Sequence, residues 1–266
     1  MPLPARAMAE GAWYCVRQRA GPLVKECRAL RPSYSKMDTP DVRREKAEIK
    51  YNSGDSSVCR TRRDRLELRL ALFGQDGVFY TLTFDREHNP QSLDETRRRW
   101  KAFLYQLRKW TGHQDIDYIY LIEGRHGDHR YHIHAVLRES QFPPAVVRYL
   151  WPFGTDVDDQ PLLRGKKDSY ARLAEYMNKE KSDGVVLPLD KKLWVVSRSL
   201  RRQLPPLEKW RSDSGVIEIP PGAIVLQEQP LYRNRFGCYT YAKWFVPPLD
   251  ERARARANNL GIEWNK

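Results

Sequence analysis

A chain of 266 residues with 41% hydrophobic content can bury a substantial core and is not an intrinsically disordered polymer. Its 47 Lys and Arg against 34 Asp and Glu leave a net charge of +13, which favours a polyanionic partner, most simply nucleic acid. The apolar residues are too scattered for a transmembrane helix, and Arg6, Glu10 and Arg17 interrupt the segment where a signal peptide would need an apolar core, so a soluble protein of the bacterial cytoplasm is expected.

Cys15, Cys27, Cys59 and Cys238 lie far apart with no C-x-x-C pair, and reduced thiols are the expected state. Residues 1–70 read as a basic N-terminal extension, part of the fold or DNA-binding. Trp13, Tyr14 and Cys15 mark a strand there, residues 41–50 are charged and helix-compatible, and NSGDSS at 52–57 reads as a turn. Residues 59–72, CRTRRDRLELRLAL, have the composition of a helix. Its arginines are either a DNA-facing surface or an ordinary solvated face.

The VFYTLTF run at 78–84 predicts a buried strand. Ser92 then opens SLDE, a capping-box pattern, and a helix is predicted to about Trp110 with Trp100, Phe103, Leu104 and Leu107 on one face. Residues 118–137, YIYLIEGRHGDHRYHIHAVL, read as two strands joined by a short polar loop. Alternation on the second strand projects His132 and His134 from the same face, and hairpin pairing brings Glu123 near them. This set is either a three-ligand metal site with open positions or a pair of hydrogen-bonded structural histidines.

A short helix is predicted from Pro144 to Trp151, followed by a strand or loop to about Leu163. The segment 168–181, DSYARLAEYMNKEK, predicts a helix whose stripe of Tyr170, Leu173, Ala174 and Met177 faces the core. Tyr176 falls off that stripe, on the side of Arg172, Lys179 and Glu180, where a phenol either meets a phosphate or is simply half-buried. A strand is expected around 185–187; LWVVSRSLRR at 193–202 reads as a strand running into a basic segment punctuated by Pro205 and Pro206, with strands then at 216–219, 223–227 and 239–245 and a helical fragment in the ERARARANN tail. The GKK at 165–167 lacks the upstream glycine and following hydroxyl of a phosphate-binding loop, so no ATP-driven motor is encoded here.

In combination these residues define one chemistry. A divalent metal beside His132, His134 and Glu123 would polarise a phosphodiester oxygen, and Tyr176 would attack the phosphorus. The ordered set TLTF (81–84), EGR…RYHIH (123–134) and Y-x5-EYMNK (170–179) resembles the three motifs of HUH endonucleases that initiate rolling-circle replication, as in replication-associated proteins of small phages, plasmids and integrated elements. LWPFG (150–154), SYARLAEYMNKE (169–180) and WVVSRSL (194–200) add to the likeness, which spans about residues 78–200.

The resemblance implies an α+β fold, with a central antiparallel sheet of RNA-recognition-motif type and helices on its faces. It implies a catalytic domain over 71–204 and a C-terminal extension over 205–266. His132, His134 and Glu123 would hold Mn²⁺ or Mg²⁺, Tyr176 would be the nucleophile, and Lys179 would orient phosphate or metal-bound groups. Arg125, Arg130, Arg172 and Arg198 are the expected DNA contacts. Two-tyrosine initiators space their tyrosines four apart, but Arg172 stands four before Tyr176, so a single-tyrosine enzyme is expected. It would nick a single-stranded DNA origin or hairpin, stay joined to the 5′ phosphate, and rely on a host helicase and polymerase. Relaxases and single-tyrosine transposases share this chemistry; a water-using hydrolase or a non-catalytic nucleic-acid-binding protein are the readings outside it.

Overall fold

A computed structural model describes residues 12–30, 41, 57–126, 130–162, 169–178, 194–234 and 237–246. The expected turn at 52–56, most of the helix at 41–50, the strand at 185–187 and the C-terminal helical fragment lie outside those residues. The chain divides into two compact units, Met1–Asp64 with Pro205–Lys266 and Arg65–Leu204. Both are built on antiparallel sheets, and with the helices they make an α+β protein.

The unit from Arg65 to Leu204 holds a five-stranded sheet. Its strands are β3 (Gly77–Thr83), β4 (Ile119–His126), β5 (Arg130–Arg138), β6 (Val157–Pro161) and β7 (Val195–Val196), in the order β6-β3-β5-β4-β7. The α-helices among the described residues are α1 (Ser57–Ala71), α2 (Leu93–Thr111), α3 (Pro144–Leu150), α4 (Ser169–Asn178) and α5 (Arg198–Gln203).

Strand alternation gives this sheet two different faces. One carries Val78, Tyr80 and Leu82 of β3 with Ile133, Ala135 and Leu137 of β5, and α2 covers it with Trp100, Phe103, Leu104 and Leu107. The predicted apolar stripe of α2 is thus the buried one. Its ends follow from capping chemistry: the Ser92 hydroxyl accepts from the Glu95 N–H at 3.2 Å, and the Glu95 carboxylate accepts from the Gln91 N–H. Gly112 closes the helix in the left-handed region at φ 72°, its N–H bonded to the Arg108 carbonyl.

Two buried polar contacts fix β3 within this core. The Tyr80 hydroxyl donates to the Phe142 carbonyl at 2.8 Å, and the Trp151 indole N–H donates to the Thr83 carbonyl at 3.1 Å. The WPFG segment after α3 continues that attachment, because Asp85 N–H donates to the Phe153 carbonyl and Thr83 N–H to the Asp156 carbonyl. In segment 193–202 the expected strand, β7, is only two residues long, and the basic stretch after it is the helix α5, which Ser197 caps by accepting from the Leu200 N–H.

The other unit holds a second five-stranded sheet of β1 (Trp13–Ala20), β2 (Leu23–Leu30), β8 (Glu208–Ser212), β9 (Ile224–Asn234) and β10 (Gly237–Phe245), in the order β8-β1-β2-β10-β9. Strands from both ends of the sequence therefore pair in one sheet. Val24, Ala242 and Trp244 form its small core with Ile217 and Ile219 packed against them. The expected strand at 216–219 is not one: its alternating Val-Ile-Glu-Ile half-buries both isoleucines against the small core without joining the sheet. Glu26, 1% exposed, accepts from Arg17 and Arg28 at 2.7 Å each.

Gly154 is where the WPFG segment meets β3 most closely, since a Cβ there would lie 2.5 Å from the Thr83 carbonyl oxygen and 3.0 Å from the Asp85 nitrogen. Both are backbone atoms already in hydrogen bonds, so they cannot yield cheaply. Gly154→Ala is expected to destabilise the protein by about 1–3 kcal/mol in urea unfolding. Gly124→Ala, whose Cβ meets nothing within 4 Å, should stay within about 0.5 kcal/mol of wild type.

Candidate active site

The face of the β3-β5-β4 sheet opposite α2 carries the polar residues. Register places Thr83, His132 and Glu123 in one cross-strand row, and Thr81, His134 and Leu121 in the next. Directly opposed side chains stand about 5 Å apart at Cβ, so Glu123 lies beside His132 while reaching diagonally to His134. Its Oε2 is in close contact with His134 Nε2.

Each histidine is held from behind by a threonine of β3. Thr83 Oγ1 lies 3.1 Å from His132 Nδ1, and Thr81 Oγ1 lies 3.2 Å from His134 Nδ1. Phe79, next along the same face of β3, stacks on the His134 ring with centroids 5.4 Å apart and planes at 8°. The T-x-T spacing of β3 thus repeats the H-x-H spacing of β5 across the ladder. Phe79 was read in the sequence only as part of a strand, and the two threonines only as strand and as part of the TLTF motif with no role of their own, although alternating threonines are a visible signal for hydroxyls sharing a face.

Tyr176 comes to the same place from α4. That helix is anchored by its apolar stripe: Tyr170, Ala174 and Met177 are buried, and the Tyr170 hydroxyl donates to the Gly74 carbonyl at 2.9 Å. Tyr170 is a core residue, as its periodicity predicts. Tyr176, 45% exposed, points its hydroxyl at His134 Nε2 at 3.3 Å and Glu123 Oε2 at 3.5 Å, with its ring edge-on to Phe79 and His134. Helix and hairpin therefore bring a phenol, an imidazole and a carboxylate together.

Burial sets the protonation of the group. Desolvation under Phe79 and Tyr176 lowers the His134 pKa to about 4. The Glu123 carboxylate acts the other way, but the buried ring stays neutral at pH 7. Burial also pushes the Tyr176 phenol above its ordinary value, so it rests protonated.

Among the described residues no cluster of three or more His, Cys, Asp and Glu side chains is gathered closely enough to hold a metal as it stands. The donor chemistry nonetheless fits a divalent cation. Two imidazoles held at Nδ1, with a carboxylate beside both, leave each Nε2 as the nitrogen that would ligate a cation, and the threonines would be its outer support.

The basic residues divide. Arg130 opens β5 on the histidine face, with its guanidinium 3.5 Å from the Phe84 carbonyl. Arg172 is exposed one turn before Tyr176 on α4. Arg125 lies in β4 with its side chain outside the described residues, and Lys179 is outside them altogether. Arg198 is not brought to this group: it opens α5, which follows β7 at the Ile119 end of β4, away from Glu123.

A family model for replication-associated protein ORF2/G2P matches residues 77–181, about two fifths of the chain, from the first residue of β3 through α4. Every group gathered at the site lies inside that match. No curated protein and no solved structure matches the chain significantly. No helix among the described residues is long and apolar enough to cross a membrane.

The low pKa of His134 fixes the sign of one pH effect. Its imidazole titrates near 6.5 in the unfolded chain and near 4 in the folded one, so the unfolded state binds more protons between those values. Stability is full above pH 6.5 and falls as pH drops toward 4. In chelator, wild type is expected to lose about 2 kcal/mol between pH 7.5 and 5 that His134→Gln does not lose, measured by urea unfolding at each pH.

Proposed function

We propose that this chain is a metal-dependent, strand-specific DNA nicking and joining endonuclease that acts at the initiation of replication. The observation that carries the reading is the convergence of the Tyr176 hydroxyl on His134, which Thr81 of β3 holds, and on Glu123, which is paired with His132. The likeness of residues 77–181 to the replication-associated protein family supports a replication role.

His132, His134 and Glu123 would hold Mn²⁺ or Mg²⁺, and the bound cation would supply positive charge to a non-bridging phosphate oxygen. Tyr176 Oη would form a bond to phosphorus as the bond from phosphorus to the 3′ oxygen breaks, leaving a free 3′ hydroxyl and a 5′-phosphotyrosine. Attack by a 3′ hydroxyl on that ester reverses the step and joins strands with no external energy. Water as nucleophile would forfeit that reversal. Arg130 and Arg172, with Lys179 and Arg125 beyond the described side chains, are the proposed contacts to the DNA backbone.

A single-stranded origin or hairpin is the proposed substrate, and unwinding and synthesis fall to a host helicase and polymerase. A single nucleophile on α4 fits one nick per visit, since Arg172 occupies the position one turn earlier.

A labelled single-stranded DNA pool incubated with Mn²⁺ and run on a denaturing gel tests this directly. Wild type should give a protein-linked DNA band, and both Tyr176→Phe and the double variant His132→Ala/His134→Ala should lose it entirely. Cleavage without adduct that persists in Tyr176→Phe would replace the reading with a hydrolase, and binding without cleavage would replace it with a binding module. Independently of turnover, Thr81→Val and Thr83→Val are each expected to weaken Mn²⁺ binding about 10- to 100-fold in titration calorimetry, because each removes the hydroxyl that holds an imidazole.

A further inference from the structure

The sheet of the unit containing both chain ends has a face that the proposed nicking chemistry leaves unused. Strand register aligns Arg211 of β8, Tyr14 of β1, Ala29 of β2, Tyr239 of β10 and Tyr232 of β9 in one row across all five strands. Directly paired residues share a face, so these side chains all project from the side opposite Glu26, Arg28 and Trp244. At about 4.8 Å per strand the row spans about 19 Å.

Its aromatic members are paired and accessible. The rings of Tyr232 and Tyr239, 45% and 38% exposed, lie with centroids 5.1 Å apart, and the Arg211 guanidinium stands 5.5 Å from the Tyr14 ring centre. Ala29 separates the two pairs with a side chain too small to rise between them. The adjoining row runs Lys209, Val16, Cys27, Tyr241 and Gln229, adding an exposed cation and a further tyrosine. Neither row contains a carboxylate. On the opposite face of the same sheet Glu26, Glu208 and Glu228 are interspersed with the arginines.

We propose that this face is a stacking platform for single-stranded nucleic acid. Flat aromatic side chains at the spacing of strands accept bases of any sequence, and cations at the edge attract the phosphates that follow them. Paired bases in a duplex present no face to such a row. The partner is a polyanion because the two rows carry Arg211 and Lys209 and no carboxylate, in a chain of net charge +13; Asp64, which reaches Lys25 further along this face, is paired with that lysine. Tyrosine and arginine also mark protein interfaces, but a protein partner would have to supply the missing negative charge itself. The platform lies wholly outside residues 77–181, so its binding adds to whatever the tyrosine site recognises.

Fluorescence anisotropy with labelled oligo(dT), in chelator and in the Tyr176→Phe background, reads this binding without any nicking step. The failure of either proposal is then visible separately. Tyr232→Ala/Tyr239→Ala should weaken binding by at least about 5-fold, and up to about 150-fold for each base unstacked, whereas Tyr232→Phe/Tyr239→Phe should retain it. Arg211→Gln should lower the salt dependence of log K against log salt by about one unit, which the tyrosine variants should leave unchanged. Tyr149→Ala, removing an exposed aromatic of the other unit, should bind as wild type. Equal losses with oligo(U) would extend the platform to RNA, and a loss confined to oligo(dT) would restrict it to DNA.

Wild-type affinity in a folded Tyr232→Ala/Tyr239→Ala protein would overturn the proposal, as would equal loss in the phenylalanine pair. If the alanine pair does not fold, photocrosslinking of wild type to iodouracil-substituted DNA decides. Adducts on Tyr14, Tyr232 or Tyr239 are expected, and adducts confined to residues 77–181 would overturn it.

Discussion

The register between β3, β5 and β4 is the constraint on which the candidate site depends. Because side chains alternate along a strand, a slip of one residue between β3 and β5 would turn Thr81 and Thr83 into the core and set Tyr80 and Leu82 against the imidazoles. What prevents that slip has no part in the chemistry. Tyr80, Leu82, Ile133 and Ala135 are buried beneath α2, and the hydrogen bonds from Tyr80 to Phe142 and from Trp151 to Thr83 would be broken by the shift. The apolar face of the sheet thus positions the polar one. The WPFG segment belongs to the same device, since it ties down the end of β3 where Thr83 meets His132.

A threonine behind each histidine has a consequence that a carboxylate or carbonyl would not share. With the metal absent, the contact between His134 Nε2 and Glu123 favours a proton on Nε2, and the Thr81 hydroxyl then donates to Nδ1. If Nε2 became a ligand of the proposed cation, the proton would move to Nδ1, and the same hydroxyl would turn to accept it. One contact therefore supports both tautomers without moving a heavy atom. A fixed acceptor would commit the ring to the second state only. Hydroxyls in this place would suit the proposed cation whether bound or absent, with the ring plane unchanged under Phe79.

Much of the site was legible in the sequence because one-sided burial leaves a period. His132 and His134 two apart, Glu123 at the end of the preceding strand, and Tyr176 off the stripe of Tyr170, Ala174 and Met177 are all local patterns, and the structure gathers them. Thr81 and Thr83 were not assigned because threonine in a strand is expected for its β-branched shape alone. Their partners lie about fifty residues away, in a pairing that local pattern cannot set. The same limit applies more strongly to the second sheet, where β1 and β2 pair with strands close to the other end of the chain. At residues 216–219 the alternation was real but its cause was partial burial of Ile217 and Ile219 on a small core rather than a strand ladder. At 194–202 the β-branched Val195 and Val196 masked a helix that Ser197 starts.

Tyr176 shows why the phenol needs its neighbours. At its ordinary pKa of about 10 only about one phenol in a thousand is ionised at pH 7, and burial beside Phe79 and His134 lowers that fraction further. The described protein groups nearest the hydroxyl do not relieve this: His134 is neutral and Glu123 would carry the wrong sign. The resting arrangement would therefore hold the proposed nucleophile in place but inactive. In the proposed reaction the missing element is positive charge, and a cation held by Glu123 and the histidines would cancel the carboxylate and favour the phenolate together. A phosphate entering beside that cation would meet a tyrosine already oriented by α4. Placement by the buried stripe and activation by the cation are separate requirements, so loss of the metal would abolish reaction while leaving the fold and the approach of Tyr176 intact.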